Sequence, residues 1–314
     1  MVKIHIDTDI GGDIDDLCAL ALTLKWPGAE LVGVTTVAEH GGRRAGYARY
    51  ALALAGRADV NVAAGADASE GFYREFPLLP EREDEYWPGV VESYPTPNED
   101  ALNLLERSIR EGATVCAIGP FTNLALLEKR TPGILREARL CVMGGFVFPP
   151  REGFPVWDYR RDYNVQVDAD SALVVFNAAS NPTLVTLAVT AETALRSSQL
   201  AALKDGDALA RLVATQAEVY SASEASRTHF GRMYAGLPED FINFQHDPLA
   251  CAVALGWDEG VRVEELPLKT SIEDGWLVQR VEEGGRPTKV VTRVDGRAFD
   301  EHWLRTVLKQ NRER

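Results

Sequence analysis

Five aspartates fall within ten residues near the start of the chain, in the run Asp7-Thr8-Asp9-Ile10-Gly11-Gly12-Asp13-Ile14-Asp15-Asp16. Carboxylates this close repel one another unless some are protonated, solvated or bound to a cation. Hard oxygen ligands in such a loop suit calcium or magnesium. The plainer alternative is a solvated acidic turn in which Asp13 or Asp15 caps the following helix. The metal site is the preferred reading, because Asp7 and Asp9 continue a buried-strand pattern instead of lying in a polar run. Further chemistry-bearing residues are Glu39-His40, Ile118-Gly119-Pro120, Asp162-Tyr163-Asn164 and His246-Asp247.

The elements that must position these residues alternate between strand and helix. Val2 to Ile6 reads as a short buried strand, and Leu17 to Leu22 as a helix. A second strand over Glu30–Val37, a helix from Arg43 to Leu54 and a third strand over Val60–Ala63 follow. Thr96-Pro97-Asn98-Glu99 has the form of a capping box opening a helix that ends at Gly112. Strands are predicted at Thr114–Ile118, Arg139–Met143 and Thr183–Val189, with Asp168 capping a helix through Ala179. Residues 197–256 read as mainly helical, with His246-Asp247-Pro248 opening a helix. Strand-like runs either side of Gly284-Gly285 suggest a hairpin, and a closing helix starts near Ala298. The stretch from Ala64 to Thr96 is rich in proline and aromatics, including Phe72, Tyr73, Phe76, Tyr86 and Trp87, and suits a lid, a pocket wall or plain packing over a sheet edge.

This alternation predicts an α/β fold: an open, mostly parallel, Rossmann-like sheet flanked by helices, with a small hairpin near the C-terminus. With no repeat or clear linker, residues 1–314 are expected to form a single domain. Ligands of such sheets bind at the carboxyl ends of the strands, where the residues named above fall.

The formal net charge of −14 disfavours nucleic acid and anionic membrane surfaces as partners. No apolar run approaches the ~20 residues of a membrane helix, and no signal-peptide pattern precedes Asp7. Cys18, Cys116, Cys141 and Cys251 lie singly in apolar runs with no CxxC spacing. They read as buried reduced thiols, and the expected location is the cytoplasm.

The Asp7–Asp16 run resembles the signature of the inosine–uridine preferring nucleoside hydrolases, DxDxGxDD, in a form with two more residues before the closing pair. The resemblance continues, in order, at Val34–Ala38, Gly119–Ala125, Val142–Gly145, Tyr163-Asn164-Val165 with Asp168, and His246–Ala250. It implies a calcium-dependent hydrolase that splits the N-glycosidic bond of ribonucleosides, assembled as a homodimer or homotetramer. It points to Asp9, Asp16, Asp247 and the carbonyl of Ile118 as the metal ligands. By the same resemblance Asp15 and Asn164 hold the ribose 2′- and 3′-hydroxyls. Asp162 stands where the family usually has Glu, near the 5′-hydroxyl. His40 stands near sugar or base, where Ala38-Glu39-His40 replaces the family's Ala-Gly-Asn.

Hydrolysis through an oxocarbenium-like sugar needs an activated water and a proton for the departing base. Asp9 is the candidate base and His246 the candidate acid, since imidazole titrates near neutrality. Two other readings compete. A nucleoside-binding or regulatory protein of the same fold would keep the pocket with little turnover. A haloacid-dehalogenase-like phosphohydrolase would use Asp7 as nucleophile, but that family has Thr or Val where Gly11 stands.

Overall fold

The apolar, β-branched run after Met1 forms strand β1 (Val2–Thr8), which lies inside the sheet with Ile4 and Ile6 buried. A computed structural model describes residues 1–67, 80–223 and 229–309 of the chain. Phe72, Tyr73 and Phe76 lie outside those residues.

Among the described residues one sheet has nine strands. Its members are β1, β2 (Ala29–Thr36), β3 (Val62–Ala64), β4 (Thr114–Ala117), β5 (Arg139–Met143), β6 (Thr183–Val185), β9 (Arg262–Glu273), β10 (Trp276–Val281) and β11 (Arg286–Arg293). The order β10-β9-β11-β6-β5-β4-β1-β2-β3 contains the doubly wound pattern, and of these nine strands only β9 runs opposite to the others. The direction of winding reverses between β1 and β4, which pair in parallel from Ile4↔Thr114 to Asp7↔Ala117. A crevice must open there, beyond the carboxyl ends of both strands.

Helix α1 (Asp15–Lys25) is buried almost all round, as its composition of Leu, Ala and Cys requires. It packs between the helix His246–Ala254 and the helix Gly296–Val307, where Trp303 Nε1 donates to the Cys18 carbonyl at 3.1 Å. The four cysteines are free and buried. No helix of the described residues is long and apolar enough to cross a membrane.

Four local expectations need correction. The strand from Thr183 ends at Val185, because its partner β5 ends at Met143 opposite; Leu187–Thr190 then forms a helical turn. Residues 197–256 are not purely helical: β8 (Phe241–Phe244) pairs with β7 (Ala194–Arg196) in a separate antiparallel sheet. Aromatic and β-branched residues at 241–244 favour that strand. The hairpin joins β9 to β10 through Asp274-Gly275, both at positive φ (51° and 83°) as a tight two-residue turn requires. Gly284-Gly285 instead carries the chain from β10 past β9 to β11. The capping box at Thr96 does not form. The Thr96 hydroxyl bonds both backbone groups of Ala64, and helix α3 (Asn98–Arg110) starts without a side-chain cap.

Candidate active site

The turn after β1 carries the aspartate run into the crevice. The Thr8 hydroxyl donates to Asp16 and accepts the amide of Ile10 at 3.1 Å, which curls the chain back over the strand end. Asp15 and Asp16 occupy the first turn of α1, and neither they nor Asp13 cap it; its N-cap is Ile14. Asp13 also lines the pocket, beside Asp15, and accepts from Asn243 Nδ2 at 2.6 Å. The helix His246–Ala254 brings Asp247 against α1 from the other side.

Carboxylate oxygens of Asp15, Asp16 and Asp247 lie within 4.8 Å of one another. The three residues are only 6%, 5% and 3% exposed, so this is not a solvated turn. Burial, and after it the neighbouring aspartates, pushes all three carboxyls well above their ordinary range. Asp9 rises to about 6, mainly through burial, with the Arg44 guanidinium opposing. Like charges pressed together in a dry site are what a divalent cation with a preference for oxygen would relieve, so the donor set fits such an ion.

Asp9, Asp16, Asp247 and Ile118 all line one pocket, and Asp15 and Asn164 line it too. The Asn164 amide donates to the carbonyls of Ile118 (3.0 Å) and Met143 (3.2 Å), which ties the ends of β4 and β5 together. Asp162 stays behind this wall. Its carboxyl, pushed up to about 7 by burial, accepts the amides of Gly145 (2.6 Å) and Val165 (3.4 Å). His40 is half-buried and is not part of the lining. Its neighbour Glu39 accepts the amide of Arg44 at 2.7 Å, steadying the start of helix α2 (Arg43–Leu54).

The same pocket carries an aromatic wall of Trp157, Phe230, Tyr234 and Phe244, with His246 against it. Trp157 meets Phe244 edge-on at 5.1 Å, and Phe244 stacks on His246 at 5.0 Å. The Thr190 hydroxyl donates to the Leu187 carbonyl and lies 2.6 Å from His246 Nδ1. Nδ1 therefore carries the hydrogen of that bond, and Nε2 is the ring nitrogen that can take up or release a proton.

The sequence reading missed this wall and the pocket residues Arg44 and Glu83. The aromatics had a signal: Phe230, Tyr234, Phe241 and Phe244 crowd fifteen residues that otherwise read as helix. Arg44 had none, being one basic residue of a surface-like Arg43-Arg44 pair.

A carboxylate floor whose oxygens suit a divalent cation shares its pocket with an aromatic wall at the switch point of a doubly wound sheet, which fits a hydrolase acting on a sugar joined to a flat ring. Residues 4–301 match the family described as inosine-uridine preferring nucleoside hydrolase, and the chain belongs to that family of N-ribosyl hydrolases. The chain is 28% identical over 224 residues to a pyrimidine-specific ribonucleoside hydrolase, RihA, of Salmonella paratyphi C, covering 68% of this chain and 69% of the relative. It is 30% identical over 211 residues to uridine nucleosidase 1 of Arabidopsis thaliana, covering 63% and 60%. In fold it is similar to a purine-preferring ribonucleoside hydrolase from Gardnerella vaginalis, with a TM-score of 0.76 at 22% identity over 97% of this chain and 98% of the other. It is likewise similar to the plant nucleoside hydrolase PpNRh1, with a TM-score of 0.75 at 19% identity over 98% and 99%.

Proposed function

We propose that residues 1–314 form one α/β domain that hydrolyses ribonucleosides to free base and ribose with calcium as its cofactor. The convergence of Asp15, Asp16 and Asp247 in one pocket with Asp9 and His246 carries this reading. Asp9, Asp16, Asp247 and the Ile118 carbonyl would hold the ion. When bound it supplies charge neutralisation and Lewis acidity toward water and sugar hydroxyls. Asp9 takes the proton of the attacking water. Asp15 and the Asn164 carbonyl oxygen engage the ribose hydroxyls, since the Asn164 amide hydrogens are spent on backbone carbonyls. The base lies against Trp157 and Phe244, and His246 Nε2 delivers a proton to it as the bond breaks. Asp162 supports the 5′ side through the backbone it holds. We assign no contact to His40. A homodimer or homotetramer, resting on the family resemblance alone, is open to light scattering.

The test is a panel of purine and pyrimidine ribonucleosides and their 2′-deoxy counterparts, given to metal-stripped protein and assayed for reducing sugar. Turnover that needs added calcium and favours ribosides is expected. Equal turnover with a strong chelator would remove the calcium assignment. Tight nucleoside binding without sugar release would leave a binding protein of the same fold.

A further inference from the structure

Arg44 is one of two arginines, with Arg161, that line this carboxylate-rich pocket, and its contacts identify a task. It is 4% exposed, at the start of α2, and lines the pocket beside Asp9. One terminal nitrogen donates to the main-chain carbonyl of Asp9. The other donates to Glu83 at 2.8 Å, and Nε donates to the carbonyl of Ala38 at 2.8 Å. Ala38 follows β2 with φ at +49°, a conformation an L side chain adopts only under constraint. The guanidinium thus joins the turn after β1, the strained turn after β2 and the segment around Glu83.

The two-glycine turn is shaped around this contact. A Cβ on Gly11 would stand 2.6 Å from Arg44 Nη1 and 2.7 Å from Glu83 Oε2. The longer form of the aspartate motif and the Arg44–Glu83 pair are therefore fitted to each other.

We propose that Arg44, with Glu83 as its counter-ion, is a positioning residue for the reaction. By fixing the Asp9 carbonyl it sets the direction of the Asp9 carboxylate toward both the cation and the attacking water. The inference rests on the function proposed above. A planar guanidinium can serve three acceptors on three segments at once; a lysine ammonium on a flexible stem cannot hold the same fork. Groups that orient metal ligands from behind typically contribute 10–100-fold to metal affinity or rate.

The experiment compares wild type with Arg44→Met, Arg44→Lys, Glu83→Gln and Gly11→Ala, measuring calcium affinity by calorimetry, riboside kinetics, and melting in chelator. Arg44→Met is expected to weaken calcium binding by about tenfold and lower kcat by about 10–100-fold, with KM changed less than about threefold. Arg44→Lys should rescue neither. Gly11→Ala, which keeps every atom of Arg44 but displaces its tip, should shift both quantities in the same direction. Glu83→Gln keeps the shape of the partner and should give a smaller loss, which guards against a collapse of Arg44→Met itself. Unchanged or tighter calcium binding in Arg44→Met at unchanged kcat, with only the melting temperature lowered, would overturn the assignment. So would full rescue by lysine. If the wild type binds calcium but releases no ribose, the proposed function fails, and calcium affinity alone then decides the role of Arg44.

Discussion

The middle of β1 and its carboxyl end are both buried and both polar, yet they are built on opposite terms. In its middle, His5 is 0% exposed and lies 2.9 Å from the Ser108 hydroxyl and 3.0 Å from that of Thr35. It fits because Gly33 has no side chain; a Cβ there would stand 2.9 Å from His5 Nδ1. Thr35 passes its hydrogen to Asp7 Oδ1 at 2.5 Å, so His5 Nε2 donates to Thr35 and Nδ1 accepts from Ser108. Burial, then Arg107, pushes the imidazole down to about 3 and keeps it neutral. At the carboxyl end, Asp15, Asp16 and Asp247 face chiefly one another. Asp7 marks the border: Oδ1 has two donors, while Oδ2 is buried with no hydrogen-bond partner. Burial alone therefore does not mark a site in this chain. Buried charge that the chain itself leaves unmatched does.

The largest expected effect separates the two regions by activity. Asp9→Asn should lower kcat on the order of 10⁴-fold while leaving the metal-free melting temperature unchanged or raised, since it removes one carboxylate from a buried acidic crowd. His5→Ala should do the reverse, costing about 2–4 kcal/mol of stability with kcat kept within a few-fold. A large kcat loss in His5→Ala at a temperature well below its melting point would erase the distinction.

Next in size is His246→Ala. It should cost about 10²–10⁴-fold in kcat with natural nucleosides and much less with p-nitrophenyl riboside, whose leaving group needs no proton. Equal losses on both, at verified calcium content, would reassign His246 to packing against Phe244.

A smaller effect tests the carboxylates by pH. Their folded pKa values are raised, so above about pH 4 the unfolded chain has released protons that the native metal-free site still holds. That site loses stability as pH rises through its folded values, about 6 for Asp9. A cation should cancel the loss, adding about 2.7 kcal/mol at a hundredfold excess over its Kd. The calcium-induced rise in melting temperature should therefore be larger at pH 8 than at pH 5.5, where protons compete. A rise independent of pH would mean that these carboxylates are not the ligands.

The remaining effect belongs to His5 and has the opposite sign. Its folded pKa lies near 3 against an ordinary 6.5, so stability is lost as pH falls from 6.5 toward 3. The slope is at most about 1.4 kcal/mol per unit, and His5→Gln should flatten it in a urea titration series.

The aspartate run, the histidine beside Asp247 and the winding of the sheet were legible in the sequence. Each depends on residue type and local spacing, as in the Asp15-Asp16 pair opening an apolar helix. What stayed hidden depends on partners far along the chain. Trp157, Phe230 and Phe244 become a wall only when three distant segments bring their rings into mutual contact, Phe244 from a strand paired with Ala194–Arg196. Thr183–Val189 carried a strand pattern to its end, but pairing stopped where Met143 ran out of strand. Arg44 is visible only as the meeting point of three segments.

The bond from Trp303 to the Cys18 carbonyl spans 285 residues and seals the helix that presents Asp15 and Asp16. For a nascent chain this sets an order of events. The aspartates leave the ribosome well before that helix, and α1 keeps an apolar flank uncovered until Gly296–Val307 has been synthesised. The turn that gathers the carboxylates is held in an unfinished scaffold until then, and an interrupted chain lacking that helix presents the Cys18–Leu22 face to water. Competence to gather charge around a cation thus waits on a tryptophan 285 residues beyond the carbonyl it seals.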